Sequence, residues 1–156
     1  MANTQSMCSS FKQEILCGIH ALGTSVVRAG TGADEIRAAL YLTTPGALDA
    51  TTTTYTTTNE LTATGNYARG TKVVTNATQP SLSGTTAIWT PSAAISWAAL
   101  TSSGIFNAVL IYNFTQGGAS GKAISVHTFG DQSVSAGTFT LTMPSNDASN
   151  ALIRIA

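Results

Sequence analysis

Ile105-Phe-Asn-Ala-Val-Leu-Ile-Tyr-Asn-Phe114 is the stretch whose reading decides the fold. It is the most hydrophobic segment of the chain, rich in β-branched and aromatic residues, and of strand length. A run this apolar at that length reads as a strand at the centre of a sheet. Working outward, Gln116-Gly-Gly-Ala-Ser-Gly121 reads as a flexible hairpin tip, after which residues 122–129 resume the sheet until Gly130-Asp131 turns the chain. Residues 137–143 alternate Thr with Phe139, Leu141 and Met143, and residues 152–155 alternate Leu152 and Arg154 against Ile153 and Ile155. Towards the N-terminus, the pattern turns to β after Gly30-Thr-Gly-Ala33. Ile36–Leu42 is a strand ended by Pro45-Gly46, residues 67–75 are a strand around Val73-Val74, and residues 85–90 and Ile95–Leu100 are two more. About eight or nine short strands punctuated by Gly, Pro and Asn predict an all-β fold, an antiparallel two-sheet sandwich or jelly roll.

Between these strands lies Ala50-Thr-Thr-Thr-Thr-Tyr-Thr-Thr-Thr-Asn59. Threonine is β-branched and χ1-restricted, so the tract suits an extended, half-solvated ribbon and not a helix. It offers no nucleophile, acid or metal ligand, which points to a surface being built and not a catalytic pocket.

One short N-terminal amphipathic helix completes the pattern. Ser10 as cap and Gln13 three residues later make a capping box, Phe11, Ile15, Leu16, Ile19 and Leu22 fall on one face, and Gly23 ends it. Residues 1–9 have no hydrophobic pattern and read as a flexible N-terminal arm. Residues 10–156 then form a single β-sandwich domain.

Charge narrows function. Only 9% of residues are charged, against about 25% in ordinary soluble domains. Seven basic and seven acidic residues balance to zero, so no basic field exists to displace phosphate counterions and direct nucleic-acid binding is not expected. Near-zero charge with 43% apolar residues removes long-range repulsion between molecules, a surface suited to life inside an assembly and to self-association as a homo-oligomer, a dimer or trimer. No apolar run approaches the ~20 residues that span a membrane. Residues 1–7 have neither a basic region nor an apolar run, so no signal peptide is expected.

Chemistry-bearing motifs are incomplete. Gly117-Gly-Ala-Ser-Gly-Lys122 resembles a phosphate loop, but Gln116 stands where its first glycine belongs, Ala123 where its hydroxyl belongs, and a strand follows instead of a helix. Cys17 and His20 share one face of the expected helix, yet a zinc site needs two more ligands, and Cys8 reads as an ordinary thiol. Asp34 and Glu35, neighbours in an extended segment, point to opposite faces and cannot act as an acid–base pair. The scattered acids could be assembled across strands by a sandwich glycosidase, whose sugar cleft would also need aromatic platforms and several carboxamides; serines are plentiful, but no Gly-x-Ser-x-Gly elbow exists for a serine nucleophile. Asn76-Ala-Thr and Asn113-Phe-Thr match the glycosylation sequon, as chance allows in a Thr-rich chain. Trp89 and Trp97 read as core or interface anchors; with Tyr41, Tyr55, Tyr67 and Tyr112 they are alternatively a sugar-stacking face. No catalytic residue, metal or cofactor is expected.

Ala38-Ala-Leu-Tyr-Leu-Thr-Thr-Pro45, followed by a Thr-rich stretch to Asn59-Glu-Leu61 and then Gly65-Asn-Tyr-Ala-Arg-Gly70, resembles small jelly-roll capsid cement (decoration) proteins of tailed bacteriophages and relatives loosely labelled tail proteins. Residues 105–114 and Ser135-Ala-Gly-Thr-Phe-Thr-Leu141 fit the same outline. The resemblance implies a non-enzymatic virion protein, made in the host cytoplasm. It would sit outside the icosahedral shell, with the major capsid protein as partner, and bridge capsomers. The alternative is a neck, tail or fibre-associated adhesin that binds glycan.

Two groups of residues follow from these readings. Glu60 and Arg69 flank the Gly65-Asn66 turn and are expected to pair across antiparallel segments, residues 61–64 and 67–70, through a bidentate contact. Met7, Tyr55, Leu152, Ile153 and Ile155 are expected at subunit or capsid contacts, because an apolar terminal strand is either paired in the sheet or donated to a neighbour.

Overall fold

The computed structural model describes residues 2–24, 32–46, 48–62, 64–76 and 78–156. The boundary expected at Gly30-Thr31 lies outside them. The described residues form an all-β antiparallel fold with one short helix. In chain order the elements are β1 (Ser6–Met7), α1 (Ser9–Leu16), β2 (Ile36–Leu42), β3 (Lys72–Val73), β4 (Ser81–Ser83), β5 (Thr86–Trp89), β6 (Ile95–Leu100), β7 (Phe106–Asn113), β8 (Lys122–Gln132), β9 (Gly137–Leu141) and β10 (Ile153–Ile155).

β7 is central, as its composition predicts. The five-stranded sheet runs β1-β8-β7-β2-β3, beside a three-stranded sheet β10-β5-β4 and a two-stranded ribbon β6-β9. All the pairings are antiparallel. Seven of the eight β7 residues are buried, with only Asn107 partly open. β2 is likewise buried at five of seven positions, so the middle of the sheet is covered on both faces. Trp89 of β5, Ile95 and Trp97 of β6 and Ile153 of β10 share one hydrophobic core with β2, β7 and β8, which ties the two small sheets to the large one. Both tryptophans are thus core residues, 1% and 6% exposed.

Four expectations fail, each for a physical reason. The helix ends at Leu16, not Leu22, because Gly18 takes a left-handed φ of 66°, the conformation that closes helices. Its N–H bonds the Ile15 carbonyl at 2.9 Å, and Ile19 N–H bonds that of Glu14 at 3.0 Å. Leu16 is left 89% exposed, and Cys8, without a side-chain bond, stands at the cap position expected of Ser10. Of the expected arm 1–9, residues 2–9 are described, and they are no free arm. Ser6 and Met7 pair with Val126 and Ser125, Asn3 Nδ2 donates to the Leu42 carbonyl at 3.1 Å, and Cys8 is fully buried. Polar residues without a hydrophobic pattern can still complete a sheet when their backbone finds an open edge.

The threonine tract forms no strand; its ladder is a single bridge between Thr54 and Lys122. Local hydroxyl bonds compete with extended pairing: Thr51 N–H and Oγ1 both donate to Asp49, and Thr58 N–H donates to Thr56 Oγ1. Of residues 67–75 only Lys72–Val73 is strand. β4, a hairpin partner to β5 across Gly84, and β1 are strands that composition does not announce.

Candidate functional site

Among the described residues, polar side chains concentrate at two places. The first is built on Glu60. Leu42 N–H donates to the Asn59 carbonyl at 2.8 Å and Leu61 N–H to the Leu40 carbonyl at 3.0 Å, so residues 59–61 lie along β2 and carry the Glu60 side chain inward. Asn59 enters this segment at a φ of 64°, a left-handed conformation that Asn tolerates better than most residues. The Glu60 carboxylate, with a side chain 0% exposed, accepts three hydrogen bonds. Tyr55 Oη donates at 2.7 Å, Tyr67 Oη at 2.8 Å and Gly70 N–H at 3.1 Å.

The remaining two of the chain's four tyrosines close the shell. Tyr112 stacks on Tyr55 with ring centroids 4.7 Å apart and donates to the Gly70 carbonyl at 2.8 Å, while Tyr41 donates to the Thr56 carbonyl at 2.6 Å. The Tyr67 hydroxyl in turn accepts Leu40 N–H at 3.0 Å. Burial pushes the Glu60 carboxyl above its ordinary range, and the donors from Tyr55, Tyr67 and Gly70 and the charge of Arg69 pull against it. Burial likewise raises the Tyr112 hydroxyl to about 12 and keeps those of Tyr41 and Tyr67 higher still. The cluster neither donates nor takes a proton near neutrality by way of its tyrosines.

Gly70 is required where it stands. Its φ is +65°, and a Cβ there would lie 2.7 Å from Tyr55 Oη and 2.9 Å from its Cζ. Its carbonyl accepts from both Arg37 and Tyr112. Arg37, lying over the Phe114 ring and bonded to Glu35 at 2.6 Å, holds the far side.

Arg69 corrects the expected bidentate pair. Its Nε is 4.0 Å from Glu60 Oε2, and its hydrogen bonds go to backbone: Nε to the Leu61 carbonyl at 2.8 Å and Nη2 to the Glu60 carbonyl at 3.1 Å. The carboxylate is held by Tyr55, Tyr67 and Gly70, and the third-exposed guanidinium bonds the backbone carbonyls instead. Nor do the flanking segments form a two-strand ladder. Tyr67 N–H closes a turn onto the Thr64 carbonyl at 3.1 Å, and Gly65 bridges to Leu100 instead. Ala63 lies outside the described residues.

The second cluster joins α1 to the hairpin of β7 and β8. Glu14 lies between His20 Nε2 at 2.7 Å and Lys122 Nζ at 2.5 Å. His20 Nδ1 is 3.0 Å from Asn113 Nδ2, which also donates to Asp34 Oδ2 at 2.6 Å. Nδ1 therefore accepts and Nε2 carries the proton, the neutral tautomer. Burial lowers the His20 pKa despite its bond to Glu14. Burial would raise the Glu14 carboxyl, but the bonds from Lys122 and His20 outweigh it and the net direction is down. The ring is sealed edge-on by Phe11 at 4.7 Å. Among the described residues no hydroxyl or thiol nucleophile is hydrogen-bonded to His20, so they supply the carboxylate–imidazole half of a catalytic triad without the half that attacks. Cys17 is exposed beyond the end of α1, apart from buried His20, and the two share no helix face. Among the described residues no three His, Cys, Asp or Glu side chains gather as a metal site. Gly118–Ser120 is a single turn of 3-10 helix that leads into β8, and Lys122 bonds to Glu14, so the glycine-rich tip has no phosphate-loop geometry.

The five residues expected at contacts are placed differently from one another. Met7 is half-buried in β1, opposite Ser125. Tyr55 is bound to Glu60. Leu152 is partly buried, its N–H bonded to Thr90 Oγ1, and Ile153 is 3% exposed opposite Trp89. Ile155 is 42% exposed. It lines an apolar cleft of about 250 Å³ with Ile15, Leu22, Pro80, Ala87 and Ile153. The terminal strand is therefore paired within its own sheet. Sequence reading missed Tyr67, Tyr112, Gly70, Glu14 and Asn113. A hint was available for Tyr67 and Gly70, which stand in the same short segment as Arg69. Comparison of the chain with protein-family models, curated proteins and solved structures found no match.

Proposed function

We propose that this chain is a structural protein of a tailed-phage virion, a capsid cement protein that binds the outside of the icosahedral shell and bridges neighbouring capsomers. The observation that carries this reading is where the family-like segments go. Residues 38–45, 59–61 and 65–70 converge on the Glu60 cluster through Leu40, Tyr41, Glu60, Tyr67, Arg69 and Gly70. The resemblance thus lies in residues that fix backbone geometry, and a rigid scaffold suits a protein whose task is to hold a shape under load. A shell protein bound across a seam opposes its opening by mass action and needs buried area more than chemistry. The low charge and zero net charge of the chain fit a surface that ends against other subunits.

The test is the copy number of the chain in purified virions of the phage that encodes it, by quantitative mass spectrometry. Hundreds of copies, with loss of heat stability in heads that lack it, support cement. Tens of copies at the tail support the neck, tail or fibre alternative, and absence from the particle removes both.

A further inference from the structure

Each sheet in this fold ends on strands that offer unpaired backbone, and most of these edges are guarded. β1 and β3 are two residues long, and β3 carries Lys72. β4 has three residues, and β10 holds exposed Arg154 at its middle. β6 is interrupted by a register shift between Trp97 and Leu100, with Ala99 at a φ of 50°. Short length, charge and irregularity are the devices by which proteins keep edges from pairing with other chains.

β9 has none of them. Gly137–Leu141 spans five residues, and among the described residues only β6 lies beside it. No Asp, Glu, Lys or Arg stands between Asp131 and Asp147, and the nearest proline is Pro144. Thr138 and Thr140 are exposed, while Phe139 packs with Trp97, Phe106 and Phe129 at 5.8, 5.0 and 5.3 Å and holds the strand in place.

We infer that the outer edge of β9 pairs antiparallel with β9 of a second copy of this chain across a two-fold axis, joining two β6-β9 ribbons into one four-stranded sheet. The occupant follows from self-complementarity. A register centred on Phe139 sets Thr138 of each copy opposite Thr140 of the other, a cross-strand pair that favours association. Like charges would oppose each other across the same axis, and the segment has no charge to oppose. Zero net charge on the whole chain leaves no long-range repulsion to overcome. The inference does not depend on where the protein works.

Sedimentation equilibrium over a concentration series tests it, with Thr138→Lys/Thr140→Lys as the breaking variant, since lysines then face each other across the axis. The expected result is a concentration-dependent dimer whose dissociation constant rises at least about tenfold in the variant, with an unchanged urea midpoint at dilutions where both proteins are monomeric. Amide exchange of residues 137–141 in the unaltered protein should slow as concentration rises, a readout that needs no variant. The inference is overturned if the protein stays monomeric to about 1 mM, or if amide exchange there is independent of concentration. It is also overturned if the dimer survives the double lysine change and is instead lost in Ile155→Asp.

Discussion

Glu60 and Glu14 are both carboxylates drawn into the fold, and they are held by opposite means. Glu60, fully enclosed, is bound by two phenolic hydroxyls and a backbone amide, with the nearest cation at 4.0 Å. Glu14, with a side chain 13% exposed, sits directly between an imidazole and an ammonium. The directions of their acidities differ accordingly: Glu60 is raised and Glu14 lowered. The contrast teaches that neutral donors can fix a buried carboxylate in position without repaying its desolvation, whereas nearby charges repay it where some water remains. The Glu60 cluster sets geometry; the Glu14 cluster couples an appended helix to the sheet.

Glu60→Ala should give the largest effect, about 3–5 kcal/mol, because it strands two hydroxyls and an amide in a dry site. A fall in urea midpoint of that size supports the distinction, and a change under about 1 kcal/mol would erase it. Gly70→Ala comes next, at about 2–3 kcal/mol, from left-handed strain and the displaced Tyr55 ring; near-UV circular dichroism should report the lost Tyr55–Tyr112 stack. Glu14→Gln should lose about 1–2 kcal/mol, and 0.5 M salt should narrow its gap to the unaltered protein while leaving the Glu60→Ala gap intact.

The two sites should also respond to acid with opposite signs. His20 is held below its usual 6.5, so the unfolded chain binds more protons as pH drops past that value and the His20 contribution to stability is lost. Glu60 is held above its usual 4.5, so the folded state takes up the proton first and acidification relieves a cost. Each slope is bounded at about 1.4 kcal/mol per pH unit. Between pH 7.5 and 5.0, His20→Phe should flatten the loss of stability and Glu60→Gln should steepen it; equal slopes in both variants would refute the assignment. The smallest contrast is Arg69→Ala against Lys72→Ala, about 1–2 against about 0.5 kcal/mol. Because Arg69 bonds to carbonyls, Glu60→Gln and Arg69→Ala should be close to additive in a double-mutant cycle, with coupling under about 1 kcal/mol.

The strands were legible because their signal is local. β2 and β6 match their expected bounds residue for residue, and β7 is shorter by one residue at each end. Alternation and apolar density survive whatever the rest of the chain does. The helix end was not legible, since Gly18 and Gly23 are equivalent as letters and only tertiary packing of His20 decides between them. Glu60 and Arg69 stood out as rare charges, but their partners did not. Tyr112 and Gly70, 42 residues apart in the chain, meet only once β2 and β7 are in register. The pairing of residues 6–7 had no signal at all, because an edge strand held by its backbone needs no particular side chains.

That last pairing has a consequence for synthesis. In the five-stranded sheet the successive pairs are β2 with the two-residue β3 and β7 with β8; the other edge of β2 waits for residues 106–113, and β1 waits for Ser125 and Val126. As the chain leaves the ribosome, the first strand made is among the last to find a partner, and the sheet cannot close until about four-fifths of the described chain is out. Until residues 106–113 emerge β2 travels as an apolar strand with its β7 edge open, so slowing translation should do little to help this protein fold, whereas a chaperone that shields residues 36–42 should raise its yield.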